Sequence, residues 1–202
     1  MTKLEFFFDC SSPWTYLGFA NIQPLAAEFG VDIIWRPILV GGIFNAINGS
    51  VYDMRENMIP SKASYLSKDL KQWAELAGIT INHPPSIFPV NSVKAMRGCF
   101  IAQAQGVLVP FATKVFEAYW RDDRDIADND VLSEICGHVG LNEALFFDGI
   151  ADQANKDRLK DNTQEVMDRG GFGSPTIYIN DTDMYFGNDR IVLVRDALER
   201  LC

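Results

Sequence analysis

The hydrophobic pattern at the start of the chain predicts a buried strand, then a helix, then a second strand. Residues 4–8 are a short run rich in aromatic side chains, which is typical of a strand covered on both faces. Ser12 can cap a helix with its hydroxyl, Pro13 suits the first helical position, and helical spacing runs from residue 14 to 29. Residues 31–36 then alternate as a strand, so that the three elements form a right-handed βαβ unit.

The pattern changes to helical periodicity between about residues 41 and 170, where turn signals break it repeatedly. Residues 42–49 are predicted as a loop. About half a dozen helices are expected, and the candidate segments are residues 57–77, 92–105, 109–121, 129–139 and 150–168. No repeat period or low-complexity linker is visible, so this insertion should pack as one body with the βαβ unit.

The chain closes with a hairpin and a helix. Residues 174–179 and 184–186 are predicted strands around a turn at residues 180–183, and a last helix runs from about residue 188 to 201. The whole order is therefore β-α-β, a helical insertion, and β-β-α. This order resembles a thioredoxin-like α/β fold, with residues 1–40 and 170–202 as one discontinuous domain and residues 41–169 as an all-helical insertion.

Composition and charge narrow the function classes. The chain has 202 residues, of which 48% are apolar, enough for a well-packed core. Its 27 acidic and 18 basic side chains argue against a nucleic-acid or anionic-membrane surface, while a small anionic ligand stays possible where a few cations converge. No signal peptide is visible, and the apolar runs are far short of a bilayer span. We therefore predict a cytoplasmic protein.

The cysteines and histidines do not form a metal-binding pattern. The four cysteines are Cys10, Cys99, Cys136 and Cys202, and the two histidines are His83 and His138. Their spacing contains neither a Cys-x-x-Cys pair nor a zinc motif, so no metal is expected. Cys99 and Cys136 are interpreted as small buried hydrophobic side chains. Cys10 lies beside the turn before the first helix, where a reactive thiol and simple packing are both possible.

That turn has the position of a redox site without its thiols. In thioredoxin-like redox proteins it carries Cys-x-x-Cys, because a helix N-terminus stabilises a thiolate through free N–H groups and its dipole. Ser12 and Thr15 stand at those two places here. The Ser174-Pro175 step falls where such proteins hold a cis-proline, and a cis bond would leave the backbone of Ser174 open to an extended peptide-like ligand. A trans proline at the start of an exposed strand is the alternative.

Several separate motifs together resemble a known family. They are residues 9–18 (DCSSPWTYLG), 60–66 (PSKASYL), 88–92 (FPVNS), 119–122 (YWRD), 126–128 (IAD), 172–176 (FGSPT) and 186–190 (FGNDR). In this order, over nearly the whole chain, they resemble the 2-hydroxychromene-2-carboxylate isomerases and the related kappa-class glutathione transferases.

The resemblance implies a glutathione site and a role for each matching residue. Ser12 would be the catalytic residue, holding the glutathione sulfur as a thiolate, and its alternative role is an ordinary helix cap. Ser174 and Pro175 would flank the cysteinyl part. Asn188 and Asp189 would hold the γ-glutamyl end, although Asn188 could simply cap the last helix.

Lys62 would face a carboxylate of glutathione or of the substrate, and its alternative is a solvated lysine. Weaker substrate candidates are Asn45, Asn48, Asn91 and Arg97. One departure is that residues 42–49 contain no cation where relatives often have a lysine, which leaves the second substrate open. A homodimer is expected only by analogy.

The activity implied is an isomerisation in aromatic degradation. Glutathione thiolate would add reversibly to a conjugated aromatic keto acid, interconverting 2-hydroxychromene-2-carboxylate and trans-o-hydroxybenzylidenepyruvate without being consumed. The first alternative is a kappa-class transferase or peroxidase. Two others are a thiol oxidoreductase that uses Cys10 and a redox-inactive thioredoxin-like binding module.

Overall fold

A four-stranded mixed sheet forms the centre of the computed structural model, which describes residues 2–201 apart from the side chain of Arg55. Cys202 lies outside the described residues. The strands are β1 (Leu4–Phe8), β2 (Ile33–Pro37), β3 (Thr176–Ile179) and β4 (Asp183–Phe186). Their order is β2-β1-β3-β4, with β1 parallel to β2 and antiparallel to β3, and β3 antiparallel to β4. Both ends of the chain thus contribute to one sheet, which confirms the predicted α/β fold.

Ten α-helices surround this sheet in the described part of the chain. They are α1 (Pro13–Phe29), α2 (Val40–Ile47), α3 (Ser50–Glu56), α4 (Pro60–Ala77), α5 (Val93–Ala104), α6 (Leu108–Phe116), α7 (Asn129–Val139), α8 (Glu143–Ala151), α9 (Gln153–Asp168) and α10 (Ile191–Leu201). A π-helical turn, Glu117–Arg121, continues α6, and a 3₁₀ turn, Asn188–Arg190, precedes α10. No helix within residues 2–201 is both long and apolar enough to cross a bilayer.

The prediction of a loop over residues 42–49 is wrong, because most of this segment belongs to α2. The buried carboxylate of Asp9 accepts the Val40 N–H at 2.8 Å, which supplies the cap that Leu39 cannot provide at the start of α2. Ile43, on the same helix, is fully buried against Phe7 and Ile38. Tertiary contacts therefore hold the helix where two glycines weaken the local preference.

The prediction of one helix over residues 150–168 is also wrong. Asp152 is extended (φ −62°, ψ 136°), and its carboxylate accepts the Ala154 N–H at 3.2 Å. It therefore ends α8 and caps α9 at the same point. The helix predicted over residues 57–77 begins only at Pro60, because Ile59 is extended.

Strand β1 is buried on both faces, as predicted, since all five of its residues are buried. On one face, Phe6 and Phe8 pack with Phe19 of α1 and Trp35 of β2. On the other face, Phe7 meets residues of α2, α9 and β3. The position of the turn before α1 is therefore fixed by the carboxyl end of this buried strand.

Candidate functional site

Ser12 caps the N-terminus of α1 and keeps a weakly used hydroxyl hydrogen. Its Oγ accepts the Thr15 N–H at 3.2 Å, which is the ordinary capping bond. Its O–H lies 3.4 Å from the Ser174 carbonyl oxygen, beyond the usual range for O–H···O bonds. Ser12 is half-buried, so the residue is partly open to solvent. The position combines an available donor with the positive end of the helix dipole.

The loop before β3 lies directly against this turn. The Ser174–Pro175 peptide bond is cis, which confirms that prediction. Ser174 Oγ accepts the Asp9 N–H at 3.1 Å and lies 2.7 Å from Thr15 Oγ1. Thr15, at the second of the two places where redox relatives carry a cysteine, is fully buried. Its hydroxyl links α1 to the loop and is not available to a ligand.

Asp9 organises the backbone of the turn, a role that sequence reasoning missed. Its carboxylate is almost fully buried and accepts the N–H groups of Ser11 (2.9 Å) and Val40 (2.8 Å). Burial raises the pKa of Asp9, while the hydrogen bonds from Ser11, Val40 and Ser92 act in the opposite direction. The signal in the sequence was an acid directly after a strand that is apolar apart from Glu5.

Cys10 is held from both sides by residues of the helical segment. Its N–H lies 3.3 Å from Met96 Sδ, and its carbonyl oxygen accepts the Trp120 indole N–H at 2.9 Å. The thiol is fully buried, and this burial together with the adjacent Cys99 thiol raises the pKa of Cys10 well above the ordinary cysteine value. Both effects oppose a reactive thiolate, so packing is the role that the geometry supports.

The 3₁₀ turn before α10 joins the same site. The Gly187 N–H donates to the Pro175 carbonyl oxygen at 3.0 Å, and its left-handed φ of +98° suits glycine. Asn188 is 3% exposed and accepts the Asn21 side-chain N–H at 2.8 Å, while its own Nδ2 has no partner in the described part of the chain. The Asp189 carboxylate is half-exposed and pairs with Arg190.

Four aromatic side chains cluster next to this loop and are here called the aromatic patch: Phe44, Tyr52, Phe172 and Phe186. The Phe172 and Phe186 rings are 4.3 Å apart, and the Phe44 and Tyr52 rings are 6.2 Å apart. Phe172 and Phe186 are 40% and 36% exposed. A Cβ at Gly173 would be 2.8 Å from the Phe186 ring and 3.9 Å from the Phe44 ring, so glycine lets the patch lie beside Ser174.

Direct contacts thus link Ser12 with Ser174, and Pro175 with the residue before Asn188. Asn188 and Asp189 themselves line a cavity along α1 whose lining does not include Ser12. The remaining predicted site residues lie elsewhere or serve local structure. Asn45 accepts the Tyr52 O–H, and Asn48 donates to the Phe172 carbonyl, so both support the aromatic patch. Asn91 accepts the Val93 N–H at the start of α5.

Lys62 and Arg97 do not join this group of residues. Lys62 is exposed in the first turn of α4, and no described hydrogen bond or ion pair joins its side chain to Ser12 or Asn188. Arg97 lines a different cavity. Their roles in binding stay predictions.

The chain belongs to the DsbA-like thioredoxin domain family, whose model matches residues 3–199. It is 28% identical over 201 residues to a 2-hydroxychromene-2-carboxylate isomerase of Pseudomonas putida, covering 98% of this chain and 95% of that protein. It is 24% identical over 212 residues to a glutathione S-transferase kappa 1 of Caenorhabditis elegans, covering 99% and 92%. The predicted resemblance is therefore confirmed.

A solved structure of a 2-hydroxychromene-2-carboxylate isomerase is similar over the same extent. It superposes with a TM-score of 0.83 and 27% sequence identity, covering 98% of this chain and 95% of that one. The thioredoxin-like fold with its helical additions is thus shared over the full length.

Proposed function

We propose that this chain is a glutathione-dependent isomerase that interconverts 2-hydroxychromene-2-carboxylate and trans-o-hydroxybenzylidenepyruvate or a related aromatic keto acid. The observation that carries the proposal is the Ser12 hydroxyl, which stands at a helix N-terminus beside Ser174 at 3.4 Å with no strong acceptor of its own. The named isomerases that match 98% of the chain support the reaction. The kappa-class transferases support glutathione.

The residues proposed for the site offer groups whose chemistry suits the parts of glutathione. Ser12 offers a donor for a sulfur, and the Asn188 Nδ2 is a buried donor that lacks an acceptor. Asp189 offers a carboxylate for an ammonium group, because its pair with Arg190 is exposed and such pairs are weak. When bound, glutathione would supply the thiolate that adds reversibly to the conjugated acid, so that no protein nucleophile is required.

Ser12 would act as a donor to that sulfur. Its O–H can rotate away from the Ser174 carbonyl at little cost, since the present bond is long, and turn toward a thiolate. The α1 dipole adds to this effect, and each contribution is about 1 kcal/mol. Lowering the pKa of a bound thiol into the useful range therefore needs both of them together.

The aromatic patch would receive the ring of the second substrate. Phe172 and Phe186 are partly exposed and next to Gly173, one residue from Ser174. Ring-to-ring contacts of this kind contribute about 1 kcal/mol beyond simple burial. Residues 42–49 contain no cation that could bind an anionic substrate. The aromatic patch would instead select the substrate by contacts with its ring.

The proposal is tested by following the ultraviolet spectrum of 2-hydroxychromene-2-carboxylate with and without glutathione. We expect conversion to an equilibrium mixture only with glutathione, and roughly fivefold slower conversion in Ser12→Ala, because losing a donor worth about 1 kcal/mol slows a rate by about that factor. Ser67→Ala, which removes an exposed hydroxyl from α4, is the matched control. Unchanged conversion in Ser12→Ala, or conversion without glutathione, would contradict the proposal.

A kappa-type transferase is the second candidate, because several of the relatives are named as such. Glutathione consumption separates the two, since a transferase depletes it and an isomerase does not. Calorimetry separates both from a binding module, which would not bind glutathione. The homodimer, the cytoplasmic location, aromatic degradation as the pathway, and the division at residues 41–169 stay predictions.

A further inference from the structure

A second cavity lies between α2, α5 and α9, and the proposed function does not use it. Its volume is about 540 Å³, within the range typical of small-molecule sites. Its lining combines three apolar side chains with three basic ones: Leu39, Leu159, Met167, Arg97, Lys156 and Lys160. This combination is the usual composition of a site for an organic anion.

Helix α2 stands between this cavity and the Ser12 site. On the site side, Val40 donates to Asp9, and Phe44 lies in the aromatic patch. On the other side, Gly42 lines the cavity and approaches Thr163 of α9. None of the residues grouped around Ser12 lines the cavity, so the two sites are separate.

The basic side chains of the cavity have no anionic partner. Across residues 2–201, no ion pair involves Arg97, Lys156 or Lys160. The one carboxylate in the lining, that of Asp157, accepts a hydrogen bond from Gln153. The cavity thus carries local positive charge in a chain with a net charge of −9.

Arg97 shows where an anion would bind. Its Nε is buried and has no hydrogen-bond partner among the described residues. The bond from its Nη1 to the Ile150 carbonyl oxygen is long, at 3.4 Å. A buried donor without an acceptor is costly, and an acceptor on a ligand would remove that cost.

We infer that this cavity binds a small organic carboxylate, with its anionic head at Arg97 and its apolar body against Leu39 and Met167, which are both half-buried. A guanidinium matches a carboxylate in geometry and charge, because two parallel N–H groups can meet the two oxygens. The apolar walls favour an organic body over an inorganic ion. Lys156, half-buried on α9, adds a second positive charge beside the head group.

Benzoate tests this inference on the full-length chain. A titration of ¹⁵N-labelled protein should shift the amide signals of Gly42 and Thr163, which line the cavity. Benzamide, which has the same ring without the charge, should bind at least tenfold more weakly. Inorganic phosphate should not compete at equal concentration.

Variants then assign the binding to the cavity. Arg97→Gln should weaken benzoate binding about tenfold, the effect of losing one charge-assisted hydrogen bond, and Lys156→Gln should weaken it several-fold. Arg158→Gln is the matched control: it removes a charge from α9 that lies over the Phe100 ring and outside the cavity lining. Thermal melting checks that each variant folds. Ser12→Ala should bind benzoate as the wild type does, so failure of the isomerase proposal does not decide this one.

Three results would overturn the inference. They are equal binding of benzoate and benzamide, equal competition by phosphate, and folded Arg97→Gln and Lys156→Gln variants that bind benzoate as tightly as the wild type. Loss of binding in Ser12→Ala would place benzoate in the Ser12 site instead and would equally contradict a separate cavity.

Discussion

Replacing Gly18 by alanine tests how tightly α1 packs on the Ser174–Pro175 loop. Gly18 is a buried residue in the interior of α1. A Cβ at this position would stand 2.9 Å from Pro175 Cγ and 3.4 Å from Phe6 Cζ. The first distance is too short for two carbon atoms, and a proline ring cannot rotate aside as a flexible side chain can. Either the loop or the helix therefore has to move.

The size of the effect follows from two opposing contributions. Overpacking a core site costs roughly 1–3 kcal/mol, while alanine gains about 1 kcal/mol over glycine inside a helix. We expect a net loss of about 1 kcal/mol in the free energy of unfolding, which for a chain of this length lowers Tm by about 3 °C. Because Ser174 is joined to Pro175 and would be displaced with it, glutathione binding should weaken as well.

Gly137→Ala is the matched control for urea and thermal unfolding. Gly137 is exposed on α7, and a Cβ there would meet no atom of another element within 4 Å. This variant should gain up to about 1 kcal/mol from helix propensity alone. If Gly18→Ala is stabilised as much as Gly137→Ala, the close contact with Pro175 does not exist and the reasoning is refuted.

Three further predictions concern buried polar groups. Burial raises the pKa of Asp9, so the folded protein holds this proton more tightly than the unfolded chain does, and the stability that Asp9 contributes falls as pH rises through and above the ordinary Asp range near pH 4. In urea unfolding, the free energy of unfolding of the wild type minus that of Asp9→Asn should therefore increase as pH is lowered from 7 toward 4. A difference that does not change with pH would contradict this. Glu5→Gln should cost about 3 kcal/mol, because Glu5 is 2% exposed and bonds Arg169 at 2.7 Å; a loss below 1 kcal/mol in urea unfolding would show that the ion pair is not needed. Iodoacetamide should modify Cys10 no faster than the protein unfolds, as peptide mass spectrometry can show, and rapid native-state labelling would revive a reactive thiol.

The elements that could be predicted from the sequence are those with strong local signals. Strand β1 is a run of apolar residues interrupted by Glu5, Ser12 and Pro13 mark the start of α1, and Gly30 marks its end with a left-handed φ of +64°. Helix α2 could not be predicted in this way. Its cap comes from Asp9, thirty-one residues earlier, and its helical state depends on the burial of Ile43.

The candidate site shows the same division between local and distant signals. Ser12 and the Ser174-Pro175 step could be picked out because each has a short motif at a recognisable place in the fold. The aromatic patch could not, because its rings come from α2, α3, the loop before β3 and the end of β4. No spacing along the chain indicates that Phe44 and Phe186 meet at Gly173. Only the packing of α2 against the sheet brings them there.

The two positions where a redox protein would carry thiols have diverged in this chain, and their difference bears on the chemistry. Ser12 is half-buried with a weakly used donor, whereas Thr15 is buried and bonded to Ser174 at 2.7 Å. Cys10, the thiol nearest in sequence, is fully buried with a raised pKa. Within the described residues, the turn thus offers the weakly used Ser12 hydroxyl and no accessible thiol. A site of this kind cannot pass electrons within the protein, but it can hold the sulfur of another molecule. Sulfur chemistry at this turn therefore requires a bound thiol. For this reason the proposed glutathione dependence and the expected effect of Ser12→Ala should either both be observed or both be absent.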